Sequence, residues 1–160
     1  MVILGLDPGI ATTGYGIIKK DSAALNYIAF GCIKTPAGLD TPIRLLDIDK
    51  NLRAIIKKYK PSYAAIEQLF FAKNAKTALL VAHARGAILT VLAASGVSVA
   101  EYTPLQIKQA LTGYGRADKI QMQKMVQLIL KLSKIPEPDD AADALAVAIC
   151  CAHSLHASTN

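Results

Sequence analysis

Four acidic residues in three separate parts of the chain have the type and position to hold a divalent cation. Asp7 and Glu67 each follow a short apolar run, where a buried strand would end. Asp140 and Asp143 are three residues apart, and this spacing places both on one face of a helix. Carboxylate oxygens are the ligands that Mg²⁺ and Mn²⁺ prefer, and neither the histidines nor the cysteines have zinc spacing.

Bringing these acids together requires a compensating charge. Two carboxylates about 5 Å apart repel by roughly 3 kcal/mol at an effective dielectric near 20, equal to about two pKa units. One acid would then take up a proton, or a divalent cation would bind, and bound cations can activate water for phosphodiester hydrolysis. Each acid also has a structural explanation: Asp7 could be a turn residue, and Asp139 and Asp140 could cap a helix. Glu67 is harder to explain in this way, since lone acids are seldom buried unpaired.

The apolar patterning predicts five strands and five helices. Strands are predicted over 2–6, 14–20, 25–33, 63–66 and 97–100, and helices over 42–59, 75–95, 103–111, 119–132 and 138–152. This order indicates an α/β domain with a mixed five-stranded sheet flanked by helices. Ligand sites in such sheets lie at the carboxyl ends of strands, where Asp7 and Glu67 are expected. The helix over 75–95 is apolar on most sides, so we expect the sheet to cover one side and, as a hypothesis, a second subunit to cover another.

The composition predicts one domain with no membrane segment. The chain has 160 residues, of which 52% are hydrophobic, and we expect one domain over 1–153 and a short tail over 154–160. The uncharged stretch 86–100 is shorter than the roughly 20 residues that a membrane-spanning helix needs. The first residues show no secretory signal, and an odd count of three cysteines is typical of the reducing cytoplasm.

The charge balance indicates a polyanionic partner. Eighteen Lys and Arg against twelve Asp and Glu give a net charge of +6. Nine basic residues and only two acidic ones fall within 69–135. Such an excess suits nucleic acid, although charge alone leaves open a protein with scattered surface lysines.

Three acidic motifs follow one another along the chain: Gly5-Leu6-Asp7-Pro8-Gly9, Ala65-Ile66-Glu67-Gln68 and Asp140-Ala141-Ala142-Asp143-Ala144-Leu145-Ala146. In these motifs the sequence resembles the RuvC family of bacterial Holliday junction resolvases. Further matches are the stretch 70–74 and the two lysines that flank the glycine loop 112–116, and together the matches cover the chain to about His153. The resemblance implies a ribonuclease H-like fold, a homodimer and Mg²⁺-dependent symmetrical incision of four-way DNA junctions. It also implies the RuvA–RuvB branch-migration complex as a partner.

The resemblance implies a role for each matching residue. Two Mg²⁺ ions per active site, or Mn²⁺ as a substitute, would be held by Asp7, Glu67, Asp140 and Asp143. Lys108 and Lys119 take the positions of the active-site lysines, and Phe70 that of an aromatic residue contacting the opened junction. We interpret five further residues as DNA contacts: Phe71, Lys73, Lys76, Tyr114 and Arg116. Asp139 departs from the family pattern and could replace Asp140 as a ligand or shift the metal.

Three other functions remain to be separated from junction cleavage. An ATPase of the actin and sugar-kinase kind needs two lobes, which 160 residues cannot supply. A nuclease of the same fold could act on RNA or on RNA–DNA hybrids. A DNA-binding dimer without enzymatic activity would not need four acids at its DNA surface.

Overall fold

The computed structural model describes residues 1–22, 24–68 and 75–157, with the side chains of 75–77 and 156–157 left out. Within these ranges the predicted elements are all present. The strands are β1 (Val2–Asp7), β2 (Thr12–Asp21), β3 (Ala24–Lys34), β4 (Tyr63–Glu67) and β5 (Ser98–Tyr102). The helices are α1 (Thr41–Tyr59), α2 (Ala75–Ala94), α3 (Pro104–Thr112), α4 (Lys119–Ile129) and α5 (Asp139–Ala157). None of the helices described here is long and apolar enough to cross a membrane.

Two helix ends differ from the prediction by more than one residue. Helix α4 ends at Ile129 rather than 132, because Leu130 leaves the helical conformation and Lys131 has a positive φ of 53°. Helix α5 continues to Ala157, five residues beyond the predicted end. The added turn is compatible with helical hydrogen bonding, since the Ser154 hydroxyl donates to the Cys150 carbonyl one turn earlier.

The five strands form one mixed sheet, in the order β3-β2-β1-β4-β5. Strand β2 runs antiparallel to both β1 and β3, whereas β1, β4 and β5 run parallel. The predicted mixed five-stranded sheet is therefore confirmed. Because Leu6 pairs with Ile66 in the parallel ladder, the next residues, Asp7 and Glu67, lie at the same sheet edge.

Helices cover both faces of the sheet. Helix α5 lies on one face and packs against β1 and β2, with α3 and α4 packed against it in turn. Helices α1 and α2 cover the other face, where Ile48, Ile88 and Leu92 are fully buried. The two apolar layers hold β1 between them, so its carboxyl end has a fixed position in the molecule.

Three glycines allow α5 to lie directly against the sheet. A Cβ atom at Gly5 would lie 2.0 Å from the Ala144 carbonyl oxygen, and one at Gly14 would lie 2.0 Å from the Asp140 carbonyl oxygen. At Gly16 it would come within 2.7 Å of the Leu145 side chain. Any larger residue would push the helix away. The first turn of α5 therefore lies over the end of β1.

Capping boxes define where α3 and α4 begin. The Thr103 hydroxyl accepts from the Gln106 amide while the Gln106 side chain accepts from the Thr103 amide, which confirms the predicted N-cap. Asp118 and Gln121 make the same pair of bonds at the start of α4. Such caps hold the first turn of a helix in place, so they fix the backbone that carries Lys119.

Helix α2 is only half covered. Ala84, Ile88 and Leu92 face the sheet and are fully buried. The opposite side, called here the outer face of α2, consists of Leu79, Ala82, His83, Gly86 and Thr90, all exposed in the single chain.

Candidate active site

Asp7 lies at the centre of a cluster of acids. Burial raises the pKa of Asp7 to about 7, and the negative charges of Asp143, Asp140 and Glu67 contribute to the rise, while Lys119 opposes it. These are the three other acids singled out from the sequence. The fold therefore brings together four carboxylates from β1, β4 and α5.

Glu67 and Asp143 have raised pKa values as well. Burial raises the pKa of Glu67 first and the charge of Asp143 adds to it, whereas Lys108 opposes the rise. The pKa of Asp143 is raised mainly by burial, and Lys119 opposes this rise. Each predicted lysine thus lies near an acid of the cluster. A group of partly buried acids that raise one another's pKa values is typical of a functional site.

Lys119 connects the cluster to Asp139. Its Nζ lies 2.8 Å from Asp139 Oδ2 and 3.7 Å from Asp143 Oδ2. The side-chain amide of Gln123 donates to Asp139 Oδ1 at 2.9 Å. The hydrogen bond from Lys119 to Asp139 is the largest cause that lowers the pKa of Asp139. The same bond is the largest cause that raises the pKa of Lys119. Asp139 therefore faces α4, whereas Asp140 is the neighbour whose charge acts on Asp7.

A cavity of about 230 Å³ opens beside the acids. Its polar lining is Glu67, Lys108, Lys119 and Asp143. The apolar part of the wall is formed by Pro104, Ile107, Met122, Ala146 and Val147. This cavity is lined by both carboxylates and ammonium groups. It can bind a cation through the carboxylates and a phosphate through the ammonium groups.

The donor set suits a hard divalent cation, although its arrangement is not yet that of a coordination shell. All four side chains offer only carboxylate oxygens, which Mg²⁺ and Mn²⁺ prefer. Across residues 1–22, 24–68 and 75–157, no group of three or more His, Cys, Asp or Glu side chains is arranged to hold a metal ion. One reason is visible at Asp143, which faces the ammonium of Lys119. A cation among the carboxylates would offset the negative charges that, after burial, raise the pKa of Asp7.

The other predicted contacts differ in what the structure describes of them. Arg116 is exposed in the loop between α3 and α4, and Tyr114 of the same loop is also exposed. Phe70, Phe71 and Lys73 lie outside the described residues. Lys76 belongs to α2, but its side chain is outside the described part of the chain.

Sequence reasoning missed the residues that bring α5 to the acids. Gly14 and Gly16 alternate along β2, on the sheet face that also carries Gly5 and Asp7. Because residues two apart share a strand face, this alternation of glycine was a signal for close packing of a helix. No pattern in the sequence indicated that Gln123 would donate a hydrogen bond to Asp139, because this contact depends on how α4 packs against α5.

The comparisons with known proteins agree on one family. A family model described as "Crossover junction endodeoxyribonuclease RuvC" matches residues 3–151. The protein of that name from Syntrophomonas wolfei subsp. wolfei is 54% identical over 159 residues, covering 99% of this chain and 92% of the relative. The one from Heliobacterium modesticaldum is 55% identical over 155 residues, covering 97% of this chain and 96% of the relative.

Solved structures agree with the sequence relatives. Thermus thermophilus RuvC in complex with Holliday junction substrate has a TM-score of 0.94 at 34% identity, covering 99% of this chain and 97% of that one. The yeast mitochondrial Holliday junction resolvase Ydc2 has a TM-score of 0.70 at 14% identity, with 94% of this chain and 77% of that one covered. This second likeness bears on the fold alone. The fold is ribonuclease H-like, and the chain belongs to the RuvC family of crossover junction endodeoxyribonucleases.

Proposed function

We propose that this Holliday junction resolvase cuts its substrate with two Mg²⁺ ions, for which Mn²⁺ can substitute, held by Asp7, Glu67, Asp140 and Asp143. The observation that carries the proposal is that Asp7 lies among the three other acids, and that burial, together with their charges, raises its pKa. Acids kept so close, partly buried and beside a cavity are costly to the fold unless a cation or a proton offsets their charge.

Each residue has a distinct task in this proposal. Asp7 would contribute to holding both ions, Glu67 would hold the one on the leaving-group side, and Asp140 and Asp143 would hold the one on the nucleophile side. When bound, such ions would supply activation of the attacking water and neutralisation of charge on the phosphate and the departing 3′ oxygen. The products would be nicks with 5′-phosphate and 3′-hydroxyl ends.

The lysines supply positive charge that stays in place when the metal leaves. Lys119 lies close enough to Asp7 and Asp143 to affect both pKa values, so it can stabilise charge on the scissile phosphate. Lys108 lines the same cavity beside Glu67 and positions the strand. Tyr114 and Arg116 extend this contact along the loop, and Phe70, Phe71, Lys73 and Lys76 remain predicted DNA contacts.

Two paired nicks require two active sites, and we propose a homodimer that forms through the outer face of α2. Leu79 on this face is 58% exposed in the single chain. Its neighbours Ala82, Gly86 and Thr90 are small, so they allow a second helix to approach closely. On this face Leu79 could then pack against a second copy of the helix.

The cellular setting follows from the family resemblance alone. We propose that the protein acts in the cytoplasm in DNA recombination and repair, and that the RuvA–RuvB branch-migration complex is its partner. The single domain over 1–153 would supply the nuclease, and the residues from 154 onward add no motif that we can assign.

Cleavage of a synthetic four-way junction tests the proposal. The junction, a plain duplex and an RNA–DNA hybrid are each incubated with the protein in Mg²⁺ or in EDTA, and nicks are mapped on every strand. The proposal requires metal-dependent nicks at symmetric positions on two opposing strands of the junction. Preferential cutting of the hybrid would favour a ribonuclease of the same fold instead.

A further inference from the structure

A second cleft lies at the β3 edge of the sheet, between that strand and α1. Its polar lining consists of Tyr15, Cys32 and Lys34 from the strands and Asn51, Lys58 and Tyr59 from α1, and its volume is about 290 Å³. We call it the edge cleft. None of its residues is among the acids, lysines or loop residues assigned above to catalysis or DNA contact.

The edge cleft adjoins the acid cluster. Asp7 pairs with Gly14 across β1 and β2, and Gly14 pairs with Cys32 across β2 and β3, so the three residues form one row across the sheet. Burial raises the pKa of the Cys32 thiol most, and the negative charges of Asp140 and Asp7 add to the rise. Cys32 therefore lies between the acids and the rest of the cleft. Because α5 covers β2 and the cleft opens toward α1, a strand whose phosphate is at Asp7 would pass around the β3 edge of the sheet to enter it.

The cleft is positively charged. Lys34 and Lys58 are both exposed, and no acidic residue lines the cleft in the described part of the chain. Between described residues, no ion pair within 4.0 Å involves either lysine, whereas Lys19, Arg53 and Arg85 each pair with an acid. Two ammonium groups without a carboxylate partner keep their charge available for an anion.

The cleft also contains the hydroxyl groups of Tyr15 and Tyr59, near these ammonium groups. Burial raises the pKa of Tyr15 most, the nearby Tyr59 adds to the rise, and Lys58 opposes it. The ammonium of Lys58 lies 4.9 Å from the centre of the Tyr59 ring. The Tyr15 ring lies over Gly31, where a Cβ atom would come within 2.9 Å of the Tyr15 hydroxyl. Lysine and tyrosine side chains are donors that proteins use to hold phosphate oxygens of a DNA backbone.

We propose that the edge cleft binds a backbone phosphate of the strand being cut, a few nucleotides from the scissile phosphate. This proposal rests on the proposed function, because the acid cluster defines where cutting occurs. The site holds the strand on the side of the acids opposite Lys108 and Lys119, so that the scissile phosphate is fixed from both sides. It adds affinity and register without reading a base.

Junction binding in EDTA tests the cleft without any cutting. The variant Lys34→Gln/Lys58→Gln is compared with Lys57→Gln/Lys60→Gln, which removes the same number of charges near the end of α1 but leaves the cleft lining unchanged. All four lysines are exposed, so both variants should melt like the wild type. The cleft variant should bind more weakly than the control at every KCl concentration. Because its cleft no longer neutralises a phosphate, its slope of log K against log[KCl] should be shallower by about 0.7 to 0.9.

A scan of the DNA locates the phosphate. Neutral methylphosphonate linkages are placed one at a time within a few nucleotides of the mapped nick. At one position the wild type and the control variant should bind more weakly, whereas the cleft variant should be unaffected, because it does not hold that phosphate. Equal binding by the two variants, or no position with this behaviour, would overturn the proposal. Failure of the wild type to nick in Mg²⁺ would instead count against the proposed function, since the EDTA comparison does not depend on cutting.

Discussion

The ammonium of Lys119 lies 2.8 Å from Asp139 and 3.7 Å from Asp143. One lysine therefore links an acid that faces away from Asp7 to an acid that we assign to the metal site. Both ion pairs are more than one-third exposed on each side, so neither contributes much to folding stability. Their importance lies in where they hold the lysine. Asp139 attracts the ammonium of Lys119 toward the first residue of α5, and this leaves Asp143 more available to a cation.

Replacing Asp139 should therefore weaken metal use. In Asp139→Asn, Lys119 would pair more fully with Asp143, and Mg²⁺ would have to displace it. We expect the Mg²⁺ concentration for half-maximal nicking to rise roughly twofold to fivefold, in keeping with a solvent-exposed ion pair. Glu137→Gln removes an exposed acid two residues away and serves as the control. Equal Mg²⁺ dependence in the two variants would show that Asp139 does not act through Lys119.

The pKa of Asp7 predicts how stability changes with pH in EDTA. In the folded protein this pKa is about 7, against 3.8 for an unperturbed Asp. Between these values the folded state keeps the proton that the unfolded state has released, so this group's contribution to stability falls as the pH rises from about 4 to about 7. Three pH units correspond to at most about 4 kcal/mol, because one pKa unit is about 1.4 kcal/mol.

Asp7→Asn removes the titrating group and tests this sign. At pH 8 in EDTA the variant should melt several degrees above the wild type, and the difference should shrink toward pH 4. Asp40→Asn, an exposed acid before α1 whose side chain makes no cap bond, should show no such pH-dependent gain. A wild type that melts above Asp7→Asn at pH 8 in EDTA would contradict the raised pKa.

Gly14 tests whether the contact between α5 and β2 positions the acids. Its missing side chain leaves room for the Asp140 carbonyl, which a Cβ would approach to 2.0 Å. Gly14→Ala should reduce the free energy of unfolding by roughly 1 to 3 kcal/mol, as overpacking does, and should abolish nicking. Gly38→Ala, where a Cβ would meet nothing within 4 Å, is the matched control. Urea unfolding and junction cleavage that are the same for both variants would rule out this role.

The outer face of α2 makes the dimer testable. Leu79→Glu places a charge on this face and should convert the dimer to monomer in sedimentation velocity. The monomer should nick the junction at one strand at a time rather than in pairs. Leu128→Glu alters a residue that is 69% exposed on α4, which packs on the opposite side of the sheet, and should leave the dimer intact. If Leu79→Glu remains dimeric, the subunits meet elsewhere.

Local patterns in the sequence were sufficient to predict the elements. The apolar run before Asp7 and the Thr103-Pro104 start of α3 are short-range signals, and the structure confirms both. The meeting of Asp7 with Glu67 follows from two parallel strands that end at one edge. It could therefore be predicted once the strands were recognised and their order inferred.

Long-range packing could not be predicted in this way. The pairing of Lys119 with Asp139 depends on the angle at which α4 meets α5, and the edge cleft depends on the distance between α1 and β3. Neither the angle between α4 and α5 nor the distance between α1 and β3 produces a periodic pattern in the sequence. The sequence also left open whether Asp139 or Asp140 faces Asp7, because adjacent residues on a first helical turn are equally good candidates until the helix is placed on the sheet.

The most direct test of the account is a crystal of the protein grown or soaked in Mn²⁺ and measured at the manganese absorption edge. The account predicts anomalous peaks within about 2.2 Å of carboxylate oxygens from Asp7, Glu67, Asp140 and Asp143, with Lys119 turned away from Asp143. Manganese peaks only elsewhere, or none near Asp7 at a saturating concentration, would contradict the claim that these four acids form a metal site.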